Sequence, residues 1–354
     1  PSAPVASALH LAPVGRRPPK VVGDLFCGCG TVAVEAWRNG LDFWGADVNP
    51  VATLIARVKC SSYRADQIER LLPKILRFAI ERRQTNTLAE PAQASLTRWF
   101  HPQRWTELSA LKQAIDRVAP GGSQHRDFFL CAFSAILKSA SRWKPRSHKP
   151  ALDATRMGDA PLPAFGRQVL KMAKCWPDPG RQHPFTADIQ LRSAVESAQD
   201  VRPLDLIVTS PPYGTSYEYA DLHQLSLLWL GYVDDHRSLR SRMIGTAYPD
   251  RSFATSLRKL NNIGAHVALT LWGMDQKVAA AIANYYAQMQ VVAQRSREML
   301  ADGGLAVFVV GDSWHRNVQL ANAAQFAEAL LSVGYPVVHV ARRSVRNKLN
   351  TPFR

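Results

Sequence analysis

The sequence lacks the cysteine pattern of a metal site or a disulfide scaffold. Its five cysteines are an odd number without a Cys-x-x-Cys pair, so we expect no metal and a cytoplasmic, reducing environment. None of the ten histidines stands in a metal-ligand pattern. No apolar run approaches ~20 residues and no signal-peptide pattern is present, which predicts a soluble protein without a membrane partner.

Acidic residues are scarce relative to basic ones. The 354 residues include 44 Lys and Arg against 28 Asp and Glu, a formal charge of +16. This excess favours a polyanionic partner, for which nucleic acid is the natural candidate, and a diffuse surface charge is the alternative. The length and the 46% apolar content allow one large α/β domain with a smaller insert. The sequence begins at Pro1 rather than at a methionine, which is compatible with a missing natural start.

A glycine turn near the amino end predicts a nucleoside pocket. Apolar residues 21–25 predict a strand, the turn follows at 26–30, and a helix begins after it. Gly28 and Gly30 let the backbone approach a ligand closely, and the start of the helix offers unpaired N–H groups. No third glycine follows three residues after Gly30, so the dinucleotide fingerprint is incomplete, which disfavours a pyrophosphate ligand. Asp24 before the turn and Asp47 roughly 20 residues after it favour a ligand with ribose hydroxyls, against the alternative of a plain strand-to-helix turn.

A second motif ends another predicted strand. The apolar run 204–208 leads into Thr209-Ser210-Pro211-Pro212-Tyr213-Gly214. The prolines have no N–H group, so the ladder stops and the carbonyls at Ser210 and Pro211 remain available as acceptors. Two acceptors beside the ring of Tyr213 suit a planar group with an exocyclic amine, such as a nucleobase. A Pro-Pro turn with a packed tyrosine is the alternative.

Together the two motifs resemble those of the amino-methyltransferases that use S-adenosylmethionine. The likeness extends over residues 20–60 and 185–345 and implies an α/β fold, a doubly wound Rossmann-like methyltransferase sheet, with S-adenosylmethionine as cofactor. In that family, serine in the first position is associated mainly with methylation of cytosine N4 in DNA. The resemblance assigns catalysis to Ser210, Pro211, Pro212 and Tyr213. It assigns cofactor binding to Asp24, Phe26, Cys27, Gly28, Gly30, Thr31, Asp47 and Asp188.

The implied chemistry agrees with the residues. An exocyclic amine is a weak nucleophile because its lone pair is delocalised into the ring. Acceptors at Ser210 and Pro211 would let the nitrogen pyramidalise, and Tyr213 would stack on the base at ~1–3 kcal/mol. The base must first be flipped out of the duplex. Alignment of the methyl donor with the amine, rather than a covalent nucleophile, would supply much of the acceleration.

Between the motifs the strand–helix alternation is lost. Apolar residues recur at helical spacing, and a basic run broken by prolines follows at 142–150. We expect a mainly helical insert at 66–184 that holds DNA and recognises the target. It interrupts a catalytic domain formed by residues 1–65 and 185–354. Phosphate contacts are predicted for Arg142, Lys144, Arg146 and Lys149, and a solvated basic loop is the alternative.

The rest of the chain predicts the second half of the sheet. A third strand is expected at 185–189, with Asp188 at an end that faces the cofactor. A mobile basic loop over the site is expected at 233–265. A strand at 305–312 and a late strand at 337–340 complete the prediction.

Three functions stay open. The first is a site-specific DNA methyltransferase acting on cytosine N4, with adenine N6 as the near alternative. Its partner would be double-stranded DNA, with a cognate restriction endonuclease as a possible second partner. The second is an RNA amino-methyltransferase. The third is a non-catalytic DNA-binding subunit of the same fold, which the two intact motifs disfavour.

Overall fold

The structure is a computed structural model. It describes residues 18–81, 88, 90–147, 149–175, 185–197, 199–214, 219–249 and 251–342. The first 17 residues and the end of the predicted insert, at 176–184, lie outside the described residues.

The central sheet has five parallel strands. They are β1 (Val21–Asp24), β2 (Asp42–Asp47), β3 (Ala187–Leu191), β4 (Leu204–Thr209) and β5 (Leu300–Phe308). Their order across the sheet is β3-β2-β1-β4-β5, with every pairing parallel. The chain therefore leaves β1 in one direction for β2 and β3 and in the other for β4 and β5. This order confirms the predicted Rossmann-like methyltransferase sheet.

The α-helices and a small hairpin account for most of the remaining regular structure. In chain order the helices are α1 (Thr31–Arg38), α2 (Pro50–Lys59), α3 (Ala65–Glu81), α4 (Glu90–Thr97), α5 (Pro102–Val118), α6 (Gln124–Ala140), α7 (Pro161–Cys175), α8 (Tyr219–Leu222), α9 (Gln224–Trp229), α10 (Phe253–Leu257), α11 (Asn262–Trp272), α12 (Gln276–Met299) and α13 (Asn322–Ser332). A 3-10 helix spans His236–Arg242, and β6 (Ser313–His315) pairs with β7 (Val318–Leu320) as an antiparallel hairpin.

Helices cover both faces of the sheet. Successive strand residues point to opposite faces, and in β1 the buried neighbours Val21 and Val22 belong to different apolar clusters. The cluster that includes Val22 also takes in α1 and α2, whereas that of Val21 takes in α11, α12 and α13. A sheet buried on both sides explains the continuous apolar runs of its strands. The doubly wound arrangement is therefore as predicted.

The segment between α2 and β3 is helical, as predicted for the insert. Helices α3 to α7 share a third apolar cluster that includes Phe128, Phe133 and Phe165. The same cluster takes in residues of α2 and of α9, including Trp229. Helix α9 is the second helix after the proline motif. The helical segment therefore packs directly against elements that lie next to both motifs.

Some expectations about the second half of the sheet are wrong. The stretch 233–265 is not a loop throughout, because the 3-10 helix, α10 and the start of α11 lie in it. The strand predicted at 305–312 is β5, which begins earlier, at Leu300, and ends at Phe308. Residues 337–340 form no strand, since they pair with none of the described strands, and Val337 is 80% exposed. Among the described helices, none is long and apolar enough to cross a membrane.

Candidate functional site

A pocket of about 360 Å³ lies at the carboxyl ends of the central strands. Open α/β sheets bind ligands at this edge, where the strand order reverses between neighbouring strands. The pocket is lined by residues that follow β1, β2, β3 and β4, and by residues 242–244 at the end of the 3-10 helix. The sheet therefore brings the glycine turn and the proline motif, about 180 residues apart in sequence, to one site.

The glycine turn has a backbone that requires glycine. Gly28 and Gly30 have positive φ angles of 48° and 78°, a region that costs other residues energy. A Cβ on Gly30 would lie 3.0 Å from the Cα of Ala56 in α2, so the turn packs tightly against that helix. Among the described residues, a Cβ on Gly28 would meet only the carbonyl of Phe26, at 3.9 Å. The space next to Gly28 is therefore open, and Gly28 lines the pocket.

Asp47 at the end of β2 connects the turn to the pocket. Its Oδ2 accepts the N–H of Gly28 at 3.0 Å, and its Oδ1 accepts the N–H of Asn49 at 2.8 Å. Burial raises the pKa of Asp47, and the N–H bonds from Asn49 and Gly28 oppose that rise. Each carboxylate oxygen has lone pairs beyond these bonds, so Asp47 can also accept hydroxyl groups of a ligand.

Asn49 and His223 extend this wall of the pocket. Asn49 caps α2, since its Oδ1 accepts the N–H of Val51 at 3.0 Å. Its Nδ2 lies 2.8 Å from Nδ1 of His223, which stands between α8 and α9. Both side chains line the pocket, and burial lowers the pKa of His223.

The proline motif ends the ladder of β4. The last bond to β5 runs from the N–H of Val309 to the carbonyl of Thr209, at 2.9 Å. The exposed Ser210 then donates its hydroxyl to the carbonyl of Val309 at 3.3 Å, and Ser210 and Pro212 line the pocket. The strand therefore stops where the first proline begins, as the missing N–H requires.

Tyr213 lies against a third glycine. A Cβ on Gly311 would come within 3.2–3.4 Å of the Tyr213 ring, so the ring packs on the Gly311 backbone. A Cβ on Gly214 would lie 2.9 Å from the buried ring of Tyr285 in α12. The backbone after the prolines thus lies between α12 and the segment that follows β5. The half-buried Tyr213 ring packs against the Gly311 backbone.

Asp24 lies beneath the pocket. It is 4% exposed, and its Oδ1 accepts the Thr209 hydroxyl at 2.6 Å and the Phe26 N–H at 3.0 Å. Burial raises the pKa of Asp24 to about 7, against the lowering effect of these two bonds. Asp24 therefore joins the glycine turn on β1 to the last residue of β4, directly before the proline motif.

Comparison with known proteins agrees with this arrangement. No protein-family model matches the chain. A stretch of 253 residues is 23% identical to the type II methyltransferase M.MvaI of Kocuria varians. The aligned part covers 62% of this chain and 53% of that protein, so the chain spans about half the length of the relative.

The structure brings several of the predicted residues together and leaves others outside the pocket. Phe26, Gly28, Asp47, Ser210 and Pro212 line it. The remaining predicted cofactor and motif residues do not line it. These are Asp24, Cys27, Gly30, Thr31, Asp188, Pro211 and Tyr213. Most of these lie in or near the same two turns as the lining residues.

Asp188 is the exception, and its predicted position is wrong. Strand β3 begins and ends two residues later than expected, so Asp188 pairs with Trp44 inside the strand instead of lying at its end. Its side chain is exposed and accepts the amide of Gln190 at 2.8 Å. The residues at the carboxyl end of β3 that do line the pocket are Arg192, Ser193 and Ala194.

Several pocket residues lie outside both sequence motifs. They are Asn49, Arg192, Ser193, His223 and Arg242. Asn49 carried one signal, an asparagine immediately before a proline and an apolar helix, which is typical of a helix cap. The others reach the pocket only through tertiary packing.

The basic segment of the predicted insert is anchored in the helical core through Trp143. Trp143 is 2% exposed, stacks on Trp99 at 5.3 Å and forms a bridge with Leu152. Arg156 donates to the carbonyls of Ser139, at 2.6 Å, and of Ser141. The predicted phosphate contacts are all solvent-accessible to some degree. Arg142 is half-buried, whereas Lys144, Arg146 and Lys149 are exposed.

Proposed function

We propose that this protein is a DNA methyltransferase that uses S-adenosylmethionine and acts on an exocyclic amine. The observation that carries the proposal is the meeting of Gly28, Asp47, Ser210 and Pro212 around one pocket. A nucleoside site and a motif suited to an amine are thereby brought to one place, as a transfer between the two requires. The sequence similarity to a type II methyltransferase supports this reading.

The residues of the pocket fit the cofactor. The volume of about 360 Å³ lies in the range of small-molecule sites. The open space beside Gly28 allows close approach of a ligand, and the Asp47 carboxylate can accept ribose hydroxyls. S-adenosylmethionine supplies an electrophilic methyl group on its sulfonium sulfur.

The proline motif would hold the amine that receives the methyl group. Because β4 pairs no further than Thr209, the next carbonyls are not consumed by the ladder. Acceptors at Ser210 and Pro211 would take the N–H bonds and direct the nitrogen lone pair toward the donor. Tyr213, whose ring packs against the Gly311 backbone, would stack on the flipped base.

We propose cytosine N4 as the methylated position, because the motif begins with serine at Ser210. This inference comes from the family resemblance alone. Adenine N6 is the alternative, since both amines can use the same carbonyl acceptors.

Duplex DNA is the proposed substrate. The charge of +16 favours a polyanion, and the helical segment carries exposed basic residues such as Lys144 and Arg146 beside a well-packed core. We propose that residues 66–184 form the target-recognition region. A partner restriction endonuclease is part of the same proposal, in keeping with the relative's description as a type II methyltransferase.

Transfer of tritiated methyl groups tests the function directly. The protein is incubated with labelled S-adenosylmethionine and mixed-sequence duplex DNA, and the digested nucleosides are separated. We expect label in N4-methylcytosine. Label in N6-methyladenine would keep the enzyme class and overturn the base assignment. Label only in an added RNA pool would replace the DNA substrate, and binding of DNA without transfer would favour a non-catalytic subunit.

Matched variants separate the two halves of the site. Asp47→Asn should weaken binding of S-adenosylhomocysteine, measured by calorimetry. Asp205→Asn is the control, because Asp205 also accepts two backbone N–H groups, from Lys20 and Val21, but outside the pocket. Tyr213→Ala and Ser210→Ala should lower turnover while leaving that binding largely intact. Equal loss of cofactor binding in all four variants would contradict this division.

A further inference from the structure

His223 is a pocket residue that neither motif contains. It follows α8 directly and precedes α9, and its carbonyl accepts the N–H of Leu227 at 2.9 Å. The imidazole lines the same pocket as Asp47, although 176 positions separate the two residues. Its place there is fixed by hydrogen bonding to Asn49.

The hydrogen bonds determine which nitrogen of His223 carries the proton. Oδ1 of Asn49 accepts the N–H of Val51 at 3.0 Å, so the NH₂ group of Asn49 is the one that faces His223. An NH₂ group can only donate, and therefore Nδ1 of His223 must accept. A neutral imidazole with an unprotonated Nδ1 carries its proton on Nε2.

The neutral form is also the one that the surroundings favour. Burial lowers the pKa of His223. A protonated Nδ1 would place an N–H against the NH₂ of Asn49, two donors facing each other. Nε2–H is then the remaining donor of the ring, and no acceptor in the described part of the chain forms a hydrogen bond with it.

We propose that Nε2–H of His223 is a hydrogen-bond donor to the nucleoside half of the cofactor. This inference rests on the proposed function. Asn49, the partner of His223, is bonded to Asp47, the carboxylate proposed to hold the ribose. The imidazole is thus attached to the nucleoside side of the pocket, through Asn49, and complements Asp47. Asp47 accepts ligand hydroxyls, whereas His223 donates to a ligand oxygen or ring nitrogen.

Two substitutions separate the two nitrogens of the ring. His223→Asn places a carbonyl oxygen near the position of Nδ1, so it can keep the bond from Asn49 but loses the donor in the pocket. His223→Gln places its amide NH₂ near the position of Nε2 and keeps that donor. Loss of one buried hydrogen bond to the ligand should weaken binding about tenfold in His223→Asn. His223→Gln should remain within about threefold of the wild type.

The probes are S-adenosylhomocysteine and adenosine, with affinities measured by calorimetry. We expect His223→Asn to weaken both to the same factor, because adenosine contains only the nucleoside half. Equal losses in the Asn and Gln variants would overturn the inference, as would a loss for S-adenosylhomocysteine alone. Thermal unfolding of each variant checks that the fold is retained. If the wild type bound neither probe, the proposed function itself would fail, whereas binding unaffected by His223→Asn would overturn this inference alone.

Discussion

The edge of the sheet and the helical segment are stabilised by different kinds of interaction. At the sheet edge, the pocket depends on glycines with positive φ, prolines and hydrogen-bonded carboxylates. The helical segment from α3 to α7 instead buries large aromatic rings, and Phe128, Phe129, Phe133 and Phe165 are fully buried there. Backbone geometry therefore dominates in the first region, and side-chain packing in the second.

Helix α9 shows how the two regions depend on each other. Trp229 at its end lies in the helical core, with its ring 5.7 Å from Phe100 and 5.8 Å from Phe133. The hydroxyls of Ser226 and Ser134 add a hydrogen bond of 2.7 Å between α9 and α6. At the other end of α9, His223 lines the pocket. The aromatic core thus supports one wall of the site that the sheet builds.

Removal of Trp229 should have the largest effect on stability. Trp229→Ala leaves a cavity in the helical core and should lower the free energy of unfolding by about 3–5 kcal/mol in urea titration. Trp229→Phe should cost much less, because it keeps most of the volume and removes an indole N–H that donates to no acceptor in the described part of the chain. Trp314→Ala is the surface control, since Trp314 is 66% exposed, and should stay within about 0.5 kcal/mol. Unchanged S-adenosylhomocysteine affinity in folded Trp229→Ala would contradict the dependence of the pocket on α9.

The sequence predicted the sheet edge better than it predicted the pocket wall. Buried parallel strands appear as apolar runs, and glycine or proline marks where they end, so β1 and β4 and both motifs could be located. The helical segment was recognisable from its spacing of apolar residues. These signals are local and do not depend on distant parts of the chain.

The features that could not be predicted depend on contacts between distant residues. The ends of β3 are set by its pairing with β2, which continues as far as Leu191. The composition of β3 alone therefore could not show that Asp188 lies inside the strand. The bond between Asn49 and His223 joins residues 174 positions apart. The stretch 337–340 has the composition of a strand, but a strand needs an available neighbour, and none of the described strands pairs with it.

The buried carboxyl of Asp24 should give the sheet region its own dependence on pH. Burial raises its pKa to about 7, from about 3.9 in the unfolded chain. Between these values the folded state binds more protons than the unfolded state, so stability falls as pH rises from 4 to 7. One pKa unit is worth about 1.4 kcal/mol, so an effect of about 2–4 kcal/mol is expected. Asp24→Asn should reduce this fall, as measured by urea unfolding at several pH values, and the remainder should come from the raised pKa of Asp47.

Asp42→Asn is a control of opposite sign for Asp24. Burial acts to raise the pKa of Asp42, but the hydrogen bonds from Arg202 and from the Thr186 N–H outweigh it, and the pKa is lowered. The contribution of Asp42 is therefore present above its unfolded pKa and lost as the pH falls through the lowered value. A fall in stability from pH 4 to 7 that is as large in Asp24→Asn as in the wild type would show that Asp24 is not responsible for it.

Gly30 tests the backbone side of the comparison. Gly30→Ala must adopt a φ of 78° and place its Cβ 3.0 Å from α2. The left-handed conformation alone costs about 1–2 kcal/mol, so the turn should shift and weaken S-adenosylhomocysteine binding about tenfold. Gly122→Ala carries the same backbone strain at a φ of 80° in the helical region, with no atom within 4 Å of its Cβ. It should leave the affinity unchanged, and equal losses in both variants would point to general destabilisation.

The smallest expected effect concerns the surface of the helical segment. Replacing Lys144 and Arg146 together by Gln removes two exposed charges from the proposed DNA-binding surface. The slope of log affinity for duplex DNA against log salt concentration is negative, and it should become less steep by about 1.8, since each phosphate contact contributes about 0.9 to its magnitude. Arg38→Gln with Arg202→Gln is the matched double control, because Arg38 lies at the end of α1 away from the pocket and Arg202 pairs with Asp42 at the start of β2. If the control pair made the slope less steep by the same amount, the affinity would come from diffuse charge. The helical segment would then not be the DNA-binding surface.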